Sequence, residues 1–222
     1  MRIYWLAACV LLTACGEREQ PQSQVPAQQS AAPATKPAAP DDRSVIVAFG
    51  DSLSAGFGVD SGQSYPDFLQ KDLNARGLRY RVVNAGISGD TSSDGLERVD
   101  QVIALKPAIV IVELGANDGL RGIPVATTRA NLEQIVITLQ KAGARVVLAG
   151  MTLPPNYGPD YIRSFERIYP ELAARYKAAL IPFLLQGVGG DSRYMQRDAL
   201  HPNVEGNRLV AENVMRTLAP ML

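Results

Sequence analysis

Val45-Ile46-Val47-Ala48-Phe49-Gly50-Asp51-Ser52-Leu53-Ser54 is the stretch from which the rest of the chain is read. Five apolar residues followed by small polar ones describe a buried strand that opens into a turn. A serine held among small residues just past a strand end is a natural place for an exposed nucleophile. Gly, Asp and Ser also build ordinary turns, so the stretch alone is weak evidence. It gains force from Asp198-Ala199-Leu200-His201-Pro202-Asn203, which carries the only histidine in 222 residues.

Outward from 45–49 the chain alternates strand and helix signals. Ser64-Tyr65-Pro66 opens a helix with a capping serine and a first-turn proline, and Gly77 stops it. A strand is expected at 80–84, then the loop Ala85-Gly86-Ile87-Ser88-Gly89-Asp90. Thr91 or Ser92 caps a helix running to about Leu105. The nearly unbroken apolar run 108–114 reads as a third strand, ending at Gly115-Ala116-Asn117-Asp118. A helix from Pro124 to about Ala142 presents Leu132, Ile135, Val136 and Leu139 on one face. Further strands are expected at 145–149 and 179–183, the latter at an edge because of its proline. Between them lie the loop 151–158 and a helix from Tyr161 to about Lys177, in which Pro170 starts a fresh turn or a kink. The closing helix is 204–218. This rhythm predicts an α/β fold of three layers, α/β/α, around a five-stranded parallel flavodoxin-like sheet of order 2-1-3-4-5. Ser52, Gly89 and Asn117 each follow a strand, so that order gathers them at one edge.

A serine hydroxyl needs a base, and the base needs an orienting partner. His201 is the only imidazole available. Asp198 precedes it by three residues, a spacing that puts carboxylate and ring on one side of a turn. Ser52, His201 and Asp198 are therefore the candidate catalytic residues. The Asn117 side chain and the backbone N–H groups of Ser52 and Gly89 are candidate oxyanion donors, although Asn117-Asp118 also suits a plain turn. Leu120, Leu153, Pro154 and Tyr157 are candidates for an apolar substrate groove, or they simply pack the loops. Gly56-Phe57-Gly58 lacks the spacing of a dinucleotide fingerprint, no Walker lysine follows a glycine loop, and no G-x-S-x-G elbow is present. With one histidine and no cysteine after Cys15, no zinc site is expected, and no cofactor is called for.

At these residues the chain resembles the SGNH (GDSL) hydrolase family. The resemblance covers nearly all of 45–218. It rests on Gly50-Asp51-Ser52-Leu53-Ser54, on Gly89 within Ile87-Ser88-Gly89-Asp90-Thr91-Ser92, on Gly115-Ala116-Asn117-Asp118 and on Asp198-Ala199-Leu200-His201-Pro202. Gly86 competes with Gly89 for the second block. Within the family the chain is similar to the TesA-type group of thioesterases, lysophospholipases and arylesterases. The resemblance implies cofactor-free hydrolysis of acyl esters and thioesters. A carbohydrate O-deacetylase and a non-catalytic lipid- or anion-binding module are the alternatives.

Lys and Arg balance Asp and Glu, 22 against 22, and no basic stripe invites nucleic acid. Residues 1–15 read as a lipoprotein signal peptide: Arg2, a short apolar run, then Leu12-Thr13-Ala14-Cys15, with Cys15 as the lipidation site. Residues 16–40, rich in Gln, Ala and Pro, read as a disordered tether ahead of one hydrolase domain at 41–222. These features predict a monomer anchored by its N-terminal lipid in the periplasm of the cell envelope. Gly16 after the cysteine favours the outer membrane over the inner.

Overall fold

The structure is a computed structural model that describes residues 41–222. The expected signal peptide, tether and Cys15 lie outside the described residues. Strands β1 (Ser44–Gly50), β2 (Tyr80–Asn84), β3 (Ile109–Glu113), β4 (Arg145–Ala149) and β5 (Ala179–Ile181) form one sheet. All pairings are parallel and the order is β2-β1-β3-β4-β5, as the alternation of elements implied. The two central strands are apolar because both their faces are covered. Ile46 to Phe49 and Ile109 to Val112 have no solvent exposure.

Helices α1 (Ser52–Ala55), α2 (Tyr65–Ala75), α3 (Ser92–Glu97), α4 (Val99–Ala104), α5 (Ala116–Leu120), α6 (Val125–Lys141), α7 (Pro159–Glu166), α8 (Ile168–Tyr176) and α9 (Val204–Leu218) complete the described chain. One layer pairs α2 with α9, and the other gathers α3, α4 and α8 around α6. The order in which strands are added reverses between β1 and β3, which sets the ligand crevice at their carboxyl ends.

The structure departs from the sequence reading in four places. The helix expected over 92–105 is two helices, broken at Arg98, whose backbone leaves the helical region at φ −110° and ψ 11°. Its guanidinium turns inward to Asp90 Oδ2 at 2.6 Å and to the carbonyls of Ala85 and Gly50, both at 2.8 Å. The helix expected from Tyr161 begins at Pro159 and restarts after Arg167, with Pro170 in the first turn of α8. The turn at Gly115-Asp118 continues into α5. The edge strand β5 ends at Ile181, just before Pro182.

Candidate active site

β1 delivers the chain to the sheet edge, and Asp51 ends it there by capping α1. Its Oδ1 accepts the Leu53 N–H at 3.0 Å, which makes Ser52 the first residue of a short helix. The Ser52 hydroxyl stands 2.8 Å from Nε2 of His201. On the far side of that ring, Nδ1 lies 2.7 Å from Asp198 Oδ2. Asp198 Oδ1 also accepts the N–H groups of Leu200 at 3.0 Å and His201 at 3.1 Å. Burial works against ionising Asp198, but these hydrogen bonds, led by the His201 ring, outweigh it and hold the carboxyl below its ordinary range. An ionised Asp198 keeps the ring hydrogen on Nδ1 and leaves Nε2 free to accept from Ser52.

The histidine segment is shaped by its own backbone. A single antiparallel bridge joins Met195 to Pro202. The Gln196 N–H donates to the His201 carbonyl and the Asn203 N–H to the Tyr194 carbonyl, each at 2.8 Å. Asn203 then caps α9 through the Gly206 N–H at 3.0 Å. The Phe57 ring lies 4.6 Å from the His201 ring, centre to centre.

The other expected residues converge on the same edge. Gly89 has φ +91°, a backbone that L side chains rarely adopt, which answers why this loop carries glycine there. Among the described residues, neither its N–H nor that of Ser52 has a hydrogen-bond acceptor. Asn117 Nδ2 donates to Asp51 Oδ2 at 3.0 Å and to the Asp90 carbonyl at 2.9 Å, so both its hydrogens are engaged. Buried Asp118 ties α5 to α3 by accepting the Ser92 N–H at 2.7 Å and the Ser92 hydroxyl. That tie sets the Asn117 turn against the Gly89 loop.

Of the expected apolar groove, Leu120, Pro154 and Tyr157 are half-buried, and the Tyr157 hydroxyl donates to the Leu120 carbonyl at 2.8 Å. Leu153 is buried at 5% exposure and packs against Gly119, so it belongs to the core and not to an open groove. Among the described residues, the exposed large apolar side chains are Phe57, Ile87, Leu200 and Val204, none of them in the expected groove. Phe57 touches His201, Leu200 precedes it, Val204 opens α9, and the Ile87 N–H bonds the Gly50 carbonyl.

A family model, the GDSL-like Lipase/Acylhydrolase family, matches residues 48–209. The chain belongs to this family. Esterase TesA of Pseudomonas aeruginosa is 48% identical over 178 residues, which cover 80% of this chain and 89% of that protein. Thioesterase 1/protease 1/lysophospholipase L1 of Escherichia coli K12 is 37% identical over 178 residues, covering 80% of this chain and 84% of that protein. A crystal structure of TesA superposes with a TM-score of 0.78 at 48% identity, covering 81% of this chain and all of that one. Family membership carries the GDSL motif to Ser52 but says nothing of Glu113 and Arg98, which lie beneath and beside the same turn. A lone acid closing the apolar run of β3 was the available signal for Glu113. Arg98 had none, because its partners are the Asp90 carboxylate and two carbonyls that only the folded sheet brings together.

Proposed function

We propose that this chain is a serine esterase that hydrolyses carboxylic esters and acyl thioesters through Ser52, His201 and Asp198. The carrying observation is the unbroken line Ser52 Oγ, His201 Nε2, His201 Nδ1, Asp198 Oδ2, with separations of 2.8 and 2.7 Å. In this reading Ser52 Oγ bonds to the acyl carbon as its proton passes to His201 Nε2. The carbonyl electrons move onto the oxygen, which the N–H groups of Ser52 and Gly89 receive together with Asn117. Asn117 does so by releasing the hydrogen it gives to the Asp90 carbonyl. Collapse breaks the bond to the leaving alcohol or thiol, which takes the proton from His201. Water repeats the sequence and frees the acid, while Asp198 keeps the imidazolium oriented. Phe57, Ile87 and Leu200 offer the acyl or leaving group an apolar surface, with Leu120, Pro154 and Tyr157 on the side of α5. That surface favours a carboxylic ester with a hydrophobic arm over a sugar acetate.

Incubation with a fluorophosphonate should label Ser52 and block turnover of p-nitrophenyl esters. Turnover by Ser52→Ala at the wild-type rate rules the reading out. An acyl-chain series decides the substrate class: rates that fall steeply beyond acetyl favour the O-deacetylase instead. We further propose that the enzyme is a monomer held in the periplasm by a lipid on Cys15, at the outer membrane. Metabolic labelling with a fatty-acid analogue tests the anchor, and Cys15→Ala should abolish the label.

A further inference from the structure

Glu113 is an acid with no solvent exposure, at the end of a central strand otherwise made of Ile and Val. An isolated buried carboxyl is costly, so its partners carry information. Strand register pairs Glu113 with Gly50, and this puts the carboxyl under the turn that follows. Its Oε2 accepts the Asp51 N–H at 3.2 Å, the Ser54 N–H at 3.0 Å and the Ser54 hydroxyl at 2.7 Å. The Ser54 oxygen stands 2.9 Å from the Tyr65 hydroxyl, so Tyr65 donates to Ser54 and Ser54 to Glu113. The other carboxyl oxygen, Oε1, is buried with no hydrogen-bond partner. Gly50 leaves the space for this arrangement, since a Cβ there would come within 2.2 Å of Oε2.

The two amides that Glu113 accepts belong to Asp51, just before Ser52, and to Ser54, two residues after it. We propose that Glu113 is a positioning residue, which by holding both amides keeps the turn in the pose that aims the Ser52 hydroxyl at His201. The proposal rests on reading Ser52 as the nucleophile. No strand pairing or helix bond supplies these two N–H groups with another acceptor, because one caps the strand and the other lies in the first turn of α1. Without Oε2 they must find water or each other's carbonyls, and the turn relaxes. A shift of about 1 Å in a reacting group can cost about a hundredfold in rate. Burial pushes the Glu113 carboxyl well above its ordinary range and the neighbouring Asp51 charge adds to this, which suits a neutral acid acting as acceptor. Asp51 in turn holds Asn117, so the same cluster reaches the candidate oxyanion amide.

The test compares wild type, Ser52→Ala, Glu113→Gln and Glu113→Leu, well below each variant's melting temperature. The readouts are kcat and KM on a soluble p-nitrophenyl ester and the rate of phosphonylation by a fluorophosphonate. Glu113→Leu should lower kcat and phosphonylation together by about tenfold or more, with KM within about twofold. Glu113→Gln offers an amide oxygen to the same donors and should stay within about threefold of wild type. A Glu113→Leu protein with lowered melting temperature but unchanged kcat overturns the proposal. So does a Glu113→Gln protein as slow as Glu113→Leu. Should Glu113→Leu fail to fold, Glu113→Asp keeps the carboxyl but draws it back from the two amides by one methylene. It should slow both reactions a few-fold, and unchanged rates overturn the proposal. Labelling of wild type at Ser52 beside an unimpaired Glu113→Leu defeats the positioning role alone. A Ser52→Ala protein as fast as wild type defeats the nucleophile reading and the positioning role together.

Discussion

Glu113 and Asp198 are carboxyls that each stand one step from the Ser52 hydroxyl, and their surroundings treat them in opposite ways. Glu113 rises from a central strand and is wholly buried. Asp198 sits on an irregular loop with its side chain 37% exposed. Burial raises the first far above its ordinary range, whereas hydrogen bonds overcome a smaller burial penalty and lower the second. One site therefore contains an acid pushed toward its neutral form, which accepts hydrogen bonds, and one pushed toward its charged form beside the imidazole. The pair also separates rigid from adjustable parts. The Ser52 turn is bonded into the sheet from below, while the His201 segment hangs on a few backbone bonds and the grip of Gln196 on the Phe57 carbonyl at 2.7 Å.

The harshest way to probe this contrast is to remove the chemistry on each side. Ser52→Ala should lower kcat by at least about four orders of magnitude, and Asp198→Ala by about tenfold to a hundredfold less, measured on the same ester. Equal losses would mean that the loop carboxylate does more than orient the ring.

Next, the two carboxyls should give stability profiles of opposite slope. Glu113 has a raised folded value, so its contribution is fullest below its unfolded value of 4.5 and declines as pH rises toward the folded one. The stability gap between wild type and Glu113→Gln should therefore shrink with rising pH above 4.5. Asp198 has a lowered folded value, so its contribution is present above 3.8 and is lost as pH falls below it. The gap to Asp198→Asn should shrink toward acid, and only slightly, because the group is solvent-screened. Denaturant unfolding over a pH series reads both slopes, and a shared sign removes the distinction.

Smaller effects sharpen the adjustable side. Phe57→Ala should raise KM about three- to tenfold for esters with longer acyl chains and leave acetyl esters nearly unchanged, by loss of apolar contact. Gln196→Ala removes the bonds to the carbonyls of Phe57 and Pro202, at 2.7 and 2.9 Å. It should cost about 1 kcal/mol of stability and lower kcat about two- to threefold. A larger loss in Gln196→Ala than in Asp198→Ala would show that holding the segment matters more than charging the ring.

Legibility followed locality. The apolar run at 45–49, the capping Ser64, the stop at Gly77 and the first-turn Pro66 act over a few residues, and the strands and α2 appear where those signals stand. The break at Arg98 was not legible. The residues after it continue a helical pattern, and what interrupts them is a guanidinium drawn to Asp90 and to the carbonyls of Gly50, which ends β1, and Ala85, which follows β2. Leu153 has the character of a groove residue but is consumed by packing against Gly119. Phe57 stands between two glycines with no local signal of a role, and only the fold sets its ring against His201.

Residue order alone determined the strand and helix rhythm, the parallel sheet that such alternation requires, and the choice of Ser52 and His201, since one histidine leaves no alternative. Tertiary structure alone decided that these two groups, 149 positions apart, lie 2.8 Å from each other, and that Glu113 closes beneath them. Side-chain period and capping are encoded over a turn of chain. A hydrogen bond between remote groups depends on strand order and register, which exist only once the whole sheet has formed.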